Sequence, residues 1–241
     1  MEEDRVEPPL PIALVVHGNC RAIPQISTNE QRQTEKMHKY LLDTIRQIIN
    51  LDKEAEEFII TSFKELKIKK GDHFLKEGEP NLLLGFIVNG LVRIYITKKG
   101  EEQSCIDFSK EGEFITVYES FLQKGISTQS IQAIEDTSLL VINNNDLQYF
   151  YQNIPNGDRL GRILIEKRFI ELASQLYSIY LHNSEQRYLH FVKTYPDLLQ
   201  RIPQYHISSF VGVKPQSLSR IRKRLARGSF INLGAFFSCK K

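Results

Sequence analysis

From Met37 the apolar positions of HKYLLDTIRQIIN recur at helical spacing, with Tyr40, Leu41, Ile45, Ile48 and Ile49 on one side. A second helical stretch runs from Asp52 to about Phe63. Beyond it the period changes from 3.6 to 2. Leu66 and Ile68 alternate with lysines, residues 83–88 and 91–96 are short apolar runs, and residues 102–108 alternate loosely. Turn signals punctuate them at Gly71-Asp72, Gly78, Asn89-Gly90, Gly100, Gly112 and residues 143–145. Short strands at this spacing predict an all-β barrel or sandwich over residues 65–142. Asn89-Gly90 is its strongest hairpin signal.

Asn156-Gly157-Asp158 then introduces a long helix to about His182, with Asp158 as N-cap and a length of about 37 Å at 1.5 Å per residue. Its apolar residues, from Leu160 and Ile163 through Phe169 and Ile170 to Ile179 and Tyr180, fill more than one stripe. A surface helix needs only one apolar face. Burial on two sides, against the barrel and against a second copy of the helix, accounts for the excess; a helix wholly enclosed within a monomer is the alternative. Residues 185–195 predict another short helix.

The stretch RIPQYHISSFVGVKPQSLSRIRKRL, residues 201–225, reads as a helix, a tight turn at Gly212 and a second helix opening at Pro215. Glycine takes positive φ at no steric cost, and proline suits the first helical position, where its missing N–H has no partner to lose. Ile207, Phe210 and Val211 make one apolar stripe; Leu218, Ile221 and Leu225 make another. Gln216, Ser217, Arg220 and Arg224 fall on a different face, flanked by Ser219, Arg222 and Lys223. Two short helices joined in this way form a helix-turn-helix pattern, whose second helix reads the major groove of DNA. The tail GSFINLGAFFSCKK would add a short strand pair, the stub of a wing.

A basic amphipathic helix is often only a solvated surface, and charge decides between the readings. Residues 198–241 hold nine cationic side chains and no acidic one; of the totals of 32 and 29, that leaves 23 against 29 in the preceding part. A basic end on a mildly acidic body is the footprint of a phosphate-binding module. The other bulk properties exclude more than they select. At 241 residues, 41% hydrophobic and 25% charged, the chain can bury a substantial core. No apolar run reaches the roughly 18 residues of a membrane span, and no signal-peptide pattern opens it, so a cytoplasmic protein is expected. Cys20, Cys105 and Cys239 are far apart, and the six histidines show no ligand spacing, so neither a disulfide framework nor a metal site is expected. A cupin-type enzyme would need clustered histidines on the strands, and residues 65–142 contain only His73. The N-terminal residues 1–36, with Pro8, Pro9, Pro11 and Pro24, read as a disordered leader, and Met37 as the start of the folded unit.

A small β-barrel, a long connecting helix and a terminal helix-turn-helix resemble the Crp/Fnr family of transcription regulators. LKEGEP with GFIVNGLVRIYI resembles its barrel strands, EGEFITVYESF with SIQAIEDTSLLVI its effector segment, LGRILIEKRF its central helix, and VGVKPQSLSRIRKRL its DNA-reading unit. The resemblance covers about residues 38–230 and implies an α+β fold with a cyclic-nucleotide-binding-like jelly roll over residues 37–157. A dimerisation helix over 158–183 and a winged-helix-like DNA-binding unit over 184–241 complete it. It further implies a homodimer on a palindromic operator, with RNA polymerase as a further partner and effector control through the barrel. Gln216, Ser217 and Arg220 would read bases; Lys214, Arg222, Lys223, Arg224 and Arg227 would hold phosphates. The family often has Glu where Gln216 stands, so a different operator is implied. Lys214 stands where an N-cap Ser or Thr is usual, at a cost of about 0.5–2 kcal/mol.

The family's barrel binds a cyclic nucleotide through a glutamate on the ribose and an arginine on the phosphate. Glu119 stands near the place of the first. No arginine lies between Arg93 and Arg159, and Ser127, Thr128 and Gln129 fill the place of the second. A buried phosphate without its guanidinium is poorly compensated, so no cofactor is assigned and cyclic-AMP binding of the family's kind is not expected. Only Cys20 lies near the N-terminus, which fails to supply the oxygen-sensing branch's iron–sulfur ligands. The competing reading is a ligand-sensing or scaffolding barrel that never meets DNA.

Overall fold

A computed structural model describes the backbone of residues 28–232 and the side chains of residues 31–226. Helix α1, Thr28–Arg46, begins nine residues ahead of Met37 and takes in the end of the stretch read as disordered leader. Its first turns carry no apolar stripe because they face solvent: Gln31, Arg32, Gln33, Glu35 and Lys36 are all exposed. They are nevertheless good helix formers, and propensity rather than periodicity sets this boundary. Helix α2, Lys53–Ser62, starts at Asp52, whose carboxylate accepts from Ala55 N at 2.8 Å.

Eight strands follow, β1 Lys64–Ile68, β2 His73–Leu75, β3 Leu83–Asn89, β4 Leu91–Thr97, β5 Gln103–Lys110, β6 Phe114–Ile115, β7 Ser130–Ala133 and β8 Thr137–Asn143. They do not close into a barrel. They form two antiparallel four-stranded sheets, ordered β1-β8-β3-β6 and β2-β7-β4-β5. Ile87, Ile115 and Leu139 of the first sheet and Val92, Ile94 and Ile131 of the second form the apolar layer between them. Nor is Asn89-Gly90 a hairpin turn. Strands β3 and β4 belong to different sheets, so the chain turns a corner there. Gly90 has φ of +112°, and a Cβ on it would lie 2.7 Å from Thr137 Cα and 2.9 Å from the Asp136 carbonyl. The hairpin that does form joins β4 to β5.

Strand β4 explains its own continuous apolar run. Val92 and Ile94 face the sandwich core, whereas Leu91 and Tyr95 face outward and are buried by the C-terminal helices. A strand covered on both faces loses its alternation. Strand β5 adds a bulge: Ile94 pairs with Asp107, but Tyr95 pairs with Cys105. Cys105 and Phe108, three apart, consequently share the outer face.

Helix α3, Tyr118–Gln123, follows β6, and α4, Asn144–Asn153, packs with α1 and α2 on β3 around Phe86, Phe121, Leu140 and Phe150. The long helix α5 spans Gly157–Leu181. Its N-cap is Asn156, in the left-handed region with no side-chain cap bond, rather than Asp158. Asp158 sits in the first turn, where its charge suits the helix dipole. Helix α6, Ser184–Thr194, opens with a capping box between Asn183 and Gln186. A 3-10 turn, Pro196–Leu198, leads to α7, Gln204–Val211, and α8, Pro215–Asn232. Residues 228–232 are thus helical rather than the start of a strand pair; the remainder of that expected wing lies outside the described residues. Among the described residues no helix is long and apolar enough to cross a membrane.

Candidate nucleic-acid interface

Gly212, with φ of +72°, ends α7 and donates its N–H to the Ser208 and Ser209 carbonyls. Lys214 occupies the position before α8: its carbonyl accepts from Ser217 N at 2.9 Å and Leu218 N at 3.1 Å, and its side chain is exposed. Leu218 and Ile221 are buried against Ile207 and Val211 of α7. This fixes the rotation of α8. Gln216, Ser217, Arg220, Arg222 and Lys223 are all exposed, and Gln204 Nε2 donates to Ser219 Oγ at 2.9 Å to pin the two helices together. Arg224 is also exposed but is paired with Glu185 at the start of α6. Arg227 lies in α8, outside the residues with described side chains.

Glu119 is exposed on α3, Thr128 is exposed, and Gln129 is half-buried. Ser127 is buried, donating to the Gln129 carbonyl at 2.7 Å and accepting from its N–H at 3.2 Å. The nearby buried polar groups satisfy one another: Asn81 Nδ2 donates to Val117 O at 2.8 Å and to Thr116 Oγ1 and Ser120 Oγ at 3.1 Å. A cavity of about 530 Å³ lies elsewhere, between α1, the β5 and β6 edges, α5 and α6, and Glu119, Thr128 and Gln129 do not line it.

Contacts between the sheets and the C-terminal helices were not foreseen from sequence. Arg201 ahead of α7 donates to both carboxylates presented by the sandwich, reaching Glu111 at 2.8 Å and Glu135 at 2.7 Å. Burial alone would raise the Glu111 pKa; the bonds from Arg201 and from Gly90 N–H outweigh it and hold the group down at about 2. Ser209 on α7 donates to Gln103 O at 3.0 Å and accepts from Cys105 N at 2.9 Å, extending the edge of β5. Buried Arg93 reaches His206 Nδ1 at 3.1 Å, stacks over Tyr95 at 4.1 Å and donates to Gln132 Oε1 at 2.6 Å. Desolvation and the Arg93 charge lower the His206 pKa to about 4.

The signal that could have found these residues is a charge within an apolar strand. Arg93 in LVRIYI and Asp107 in CIDF stand where a one-faced strand would present them to water, yet they are 5% and 2% exposed. Charged groups are seldom buried unless paired.

Residues 65–153 match the cyclic nucleotide-binding domain family. The chain is 21% identical to the cyclic AMP receptor protein of Thermus thermophilus over 185 residues, covering 75% of this chain and 85% of that one. Among solved structures it is similar to FixK2 from Bradyrhizobium japonicum, with a TM-score of 0.63 at 15% identity, over 72% of this chain and 89% of that one. It is similar too to the c-di-GMP-responsive global regulator CLP from Xanthomonas campestris, with a TM-score of 0.61 at 14% identity, over 74% and 93% of the two chains.

Proposed function

We propose that this protein is a DNA-binding transcription regulator of Crp/Fnr type acting as a homodimer; the match of residues 65–153 to the cyclic nucleotide-binding domain family and the similarity to the cyclic AMP receptor protein and to FixK2 support this reading. In this reading α7 and α8 are the helix-turn-helix, and α8 enters the major groove. The observation that carries it is the exposed face of α8, where Gln216, Ser217 and Arg220 stand clear of the buried Leu218 and Ile221. Arg220 can pair bidentately with guanine, and Gln216 favours adenine. Exposed Lys214, Arg222, Lys223 and Arg224 are its phosphate contacts, with Arg227 as a further candidate, and such contacts set register without reading sequence.

The dimer reading rests on α5. Ile165, Phe169, Leu172, Leu176 and Ile179, at alternating spacings of four and three, are between 39% and 69% exposed in the single chain. That spacing is the seam of a two-stranded coiled coil. The reading of α5 as a helix enclosed within the monomer is incompatible with this exposure. Two copies joined along the seam would bring two α8 helices to half-sites about 34 Å apart, hence to a palindromic operator. Residues 37–157 would then be the sensor, 158–183 the dimerisation helix and 184–241 the DNA-binding part.

Selection from random duplex DNA at two salt concentrations tests this reading, with Arg220→Ala as control. A palindromic enriched site, lost in Arg220→Ala, is the expected result. Weak binding that enriches no sequence and vanishes at moderate salt would favour the scaffolding alternative.

A further inference from the structure

Three parts of the molecule converge on one buried carboxylate. Asp107 is on β5, at the bulge, with its side chain 3% exposed. Its Oδ1 accepts from Tyr195 Oη at 2.6 Å, from Gln175 Nε2 at 3.2 Å and from Phe108 N at 2.8 Å. Its Oδ2 is paired with the Arg168 guanidinium. Arg168 and Gln175 sit seven residues apart on α5, two turns of one face. Tyr195 closes α6, its N–H bonding to the Phe191 carbonyl, and its own carbonyl opens the 3-10 turn toward α7. The Tyr195 ring then packs edge-on against Phe210 of α7 at 5.9 Å, and Phe210 packs on Phe108 at 5.6 Å.

Each link is individually costly to break. A buried carboxylate without its cation, or a buried tyrosine hydroxyl without its acceptor, loses its solvation with no replacement. Burial, and then the adjacent Asp107 charge, push the Tyr195 pKa up, so it remains a donor. Sliding or rotating α5 would move Arg168 and Gln175 together and leave Asp107 to find a new arrangement. The same carboxylate holds the residue that sets the path into α7. The junction is reachable as well as central, because Asp107, Arg168, Gln175 and Tyr195 all line the cavity of about 530 Å³.

We infer that Asp107 is a relay that couples the position of the central helix α5 to the pose of the α7–α8 pair on the sensor sheets. The inference rests on the regulator reading for its use, but its physical content does not need DNA. Packed interfaces of this kind have discrete arrangements rather than a continuous range, so a shift in α5 is passed on as a change of pose.

Two variants test the relay in the 241-residue chain. Tyr195→Phe removes only the hydroxyl and keeps the ring among Phe108, Phe191 and Phe210. Asp107→Asn keeps an acceptor for Tyr195 and loses the charge that holds Arg168. Amide hydrogen exchange is read separately on α5, on α7 and on the β3–β8 pair, alongside affinity for the selected operator. For both variants, the expected result is exchange at least tenfold faster in α7 and around Gln175, with β3–β8 unchanged, and operator affinity altered by at least fivefold. Exchange unchanged in α5 and α7, or faster uniformly through the chain, would overturn the relay. If the wild-type protein selects no DNA while exchange responds as expected, the relay stands and the regulator reading falls.

Discussion

Arg93 Nη1 stands 3.1 Å from His206 Nδ1, so a buried cation of β4 meets an imidazole of α7 that must accept and therefore stay neutral. The other close partners of Arg93, namely Gln103, Gln132, Cys105 and the Tyr95 ring, are uncharged as well. Protonating His206 would place two cations together out of water. Its pKa of about 4 lies below the ordinary 6.5, so the unfolded chain binds more protons in between. Stability therefore falls as pH drops from 6.5 to 4, by up to about 3 kcal/mol. Urea unfolding across that range should show the loss, and the difference between the wild type and His206→Gln isolates the share of His206 from those of His73 and His190. Glu111, held at about 2, acts in a lower window, below its ordinary 4.5, whereas His73 and His190, both lowered by burial, lose stability with falling pH as His206 does.

Gly90→Ala should be among the most damaging single-methyl additions in the chain. The residue has φ of +112°, and the new Cβ would fall 2.5 Å from Thr137 Oγ1 with backbone close behind it. Neither the dihedral nor the Thr137 backbone can yield without moving the corner between β3 and β4. A loss of about 2–4 kcal/mol is expected, read as a lower urea midpoint with an unchanged slope. A shift of less than about 0.5 kcal/mol would mean that the corner is softer than its geometry implies.

That corner also marks where the sequence was legible and where it misled. Asn89-Gly90 announces a turn correctly, but a local signal cannot say whether the next strand returns to the same sheet or crosses to the other. The helix pair after Arg201 was legible because its boundaries are chemical: Gly212 must take positive φ, and Pro215 fits a first turn. The start of α1 was not, since solvent-facing turns leave no apolar stripe. The contacts Arg93–His206, Asp107–Tyr195 and Arg201–Glu135 join residues 66 to 113 positions apart, and no spacing rule reaches that far. Only the misplaced charges in apolar strands hinted at them. Glu119 was placed by resemblance to a segment, and it stands exposed on α3.

Among the described side chains, Arg224 is the candidate phosphate contact in α8 that is paired with an acidic group, Glu185. Arg224 is exposed and Glu185 only half-buried, so by itself the pair is worth little to stability. It does hold an acidic group close to where a DNA phosphate would lie. Glu185→Gln should therefore raise DNA affinity about threefold to tenfold at low salt and steepen the salt dependence by about one ion. Arg224→Ala should do the reverse, with a smaller loss than Arg220→Ala and no change in the preferred sequence. Binding isotherms at several salt concentrations separate the two. If Glu185→Gln weakened binding, Arg224 would need its partner for positioning, and its role as a phosphate contact would be wrong.

The seam of α5 yields the last expectation. Phe169 is 69% exposed and Leu176 is 51% exposed, two turns apart on the stripe that runs from Ile165 to Ile179. In the single chain they pack on little, so charging them should cost the monomer's fold almost nothing. In a coiled coil each would instead place like charges opposite each other across the two-fold axis. Phe169→Glu with Leu176→Glu should therefore convert a dimer to a folded monomer in sedimentation equilibrium, with unchanged far-ultraviolet circular dichroism. Operator affinity should fall at least a hundredfold, because each half-site must then be bound separately and the second contact loses its effective concentration. A variant that remains dimeric would move the interface off this seam, and the half-site spacing argued from it would no longer follow.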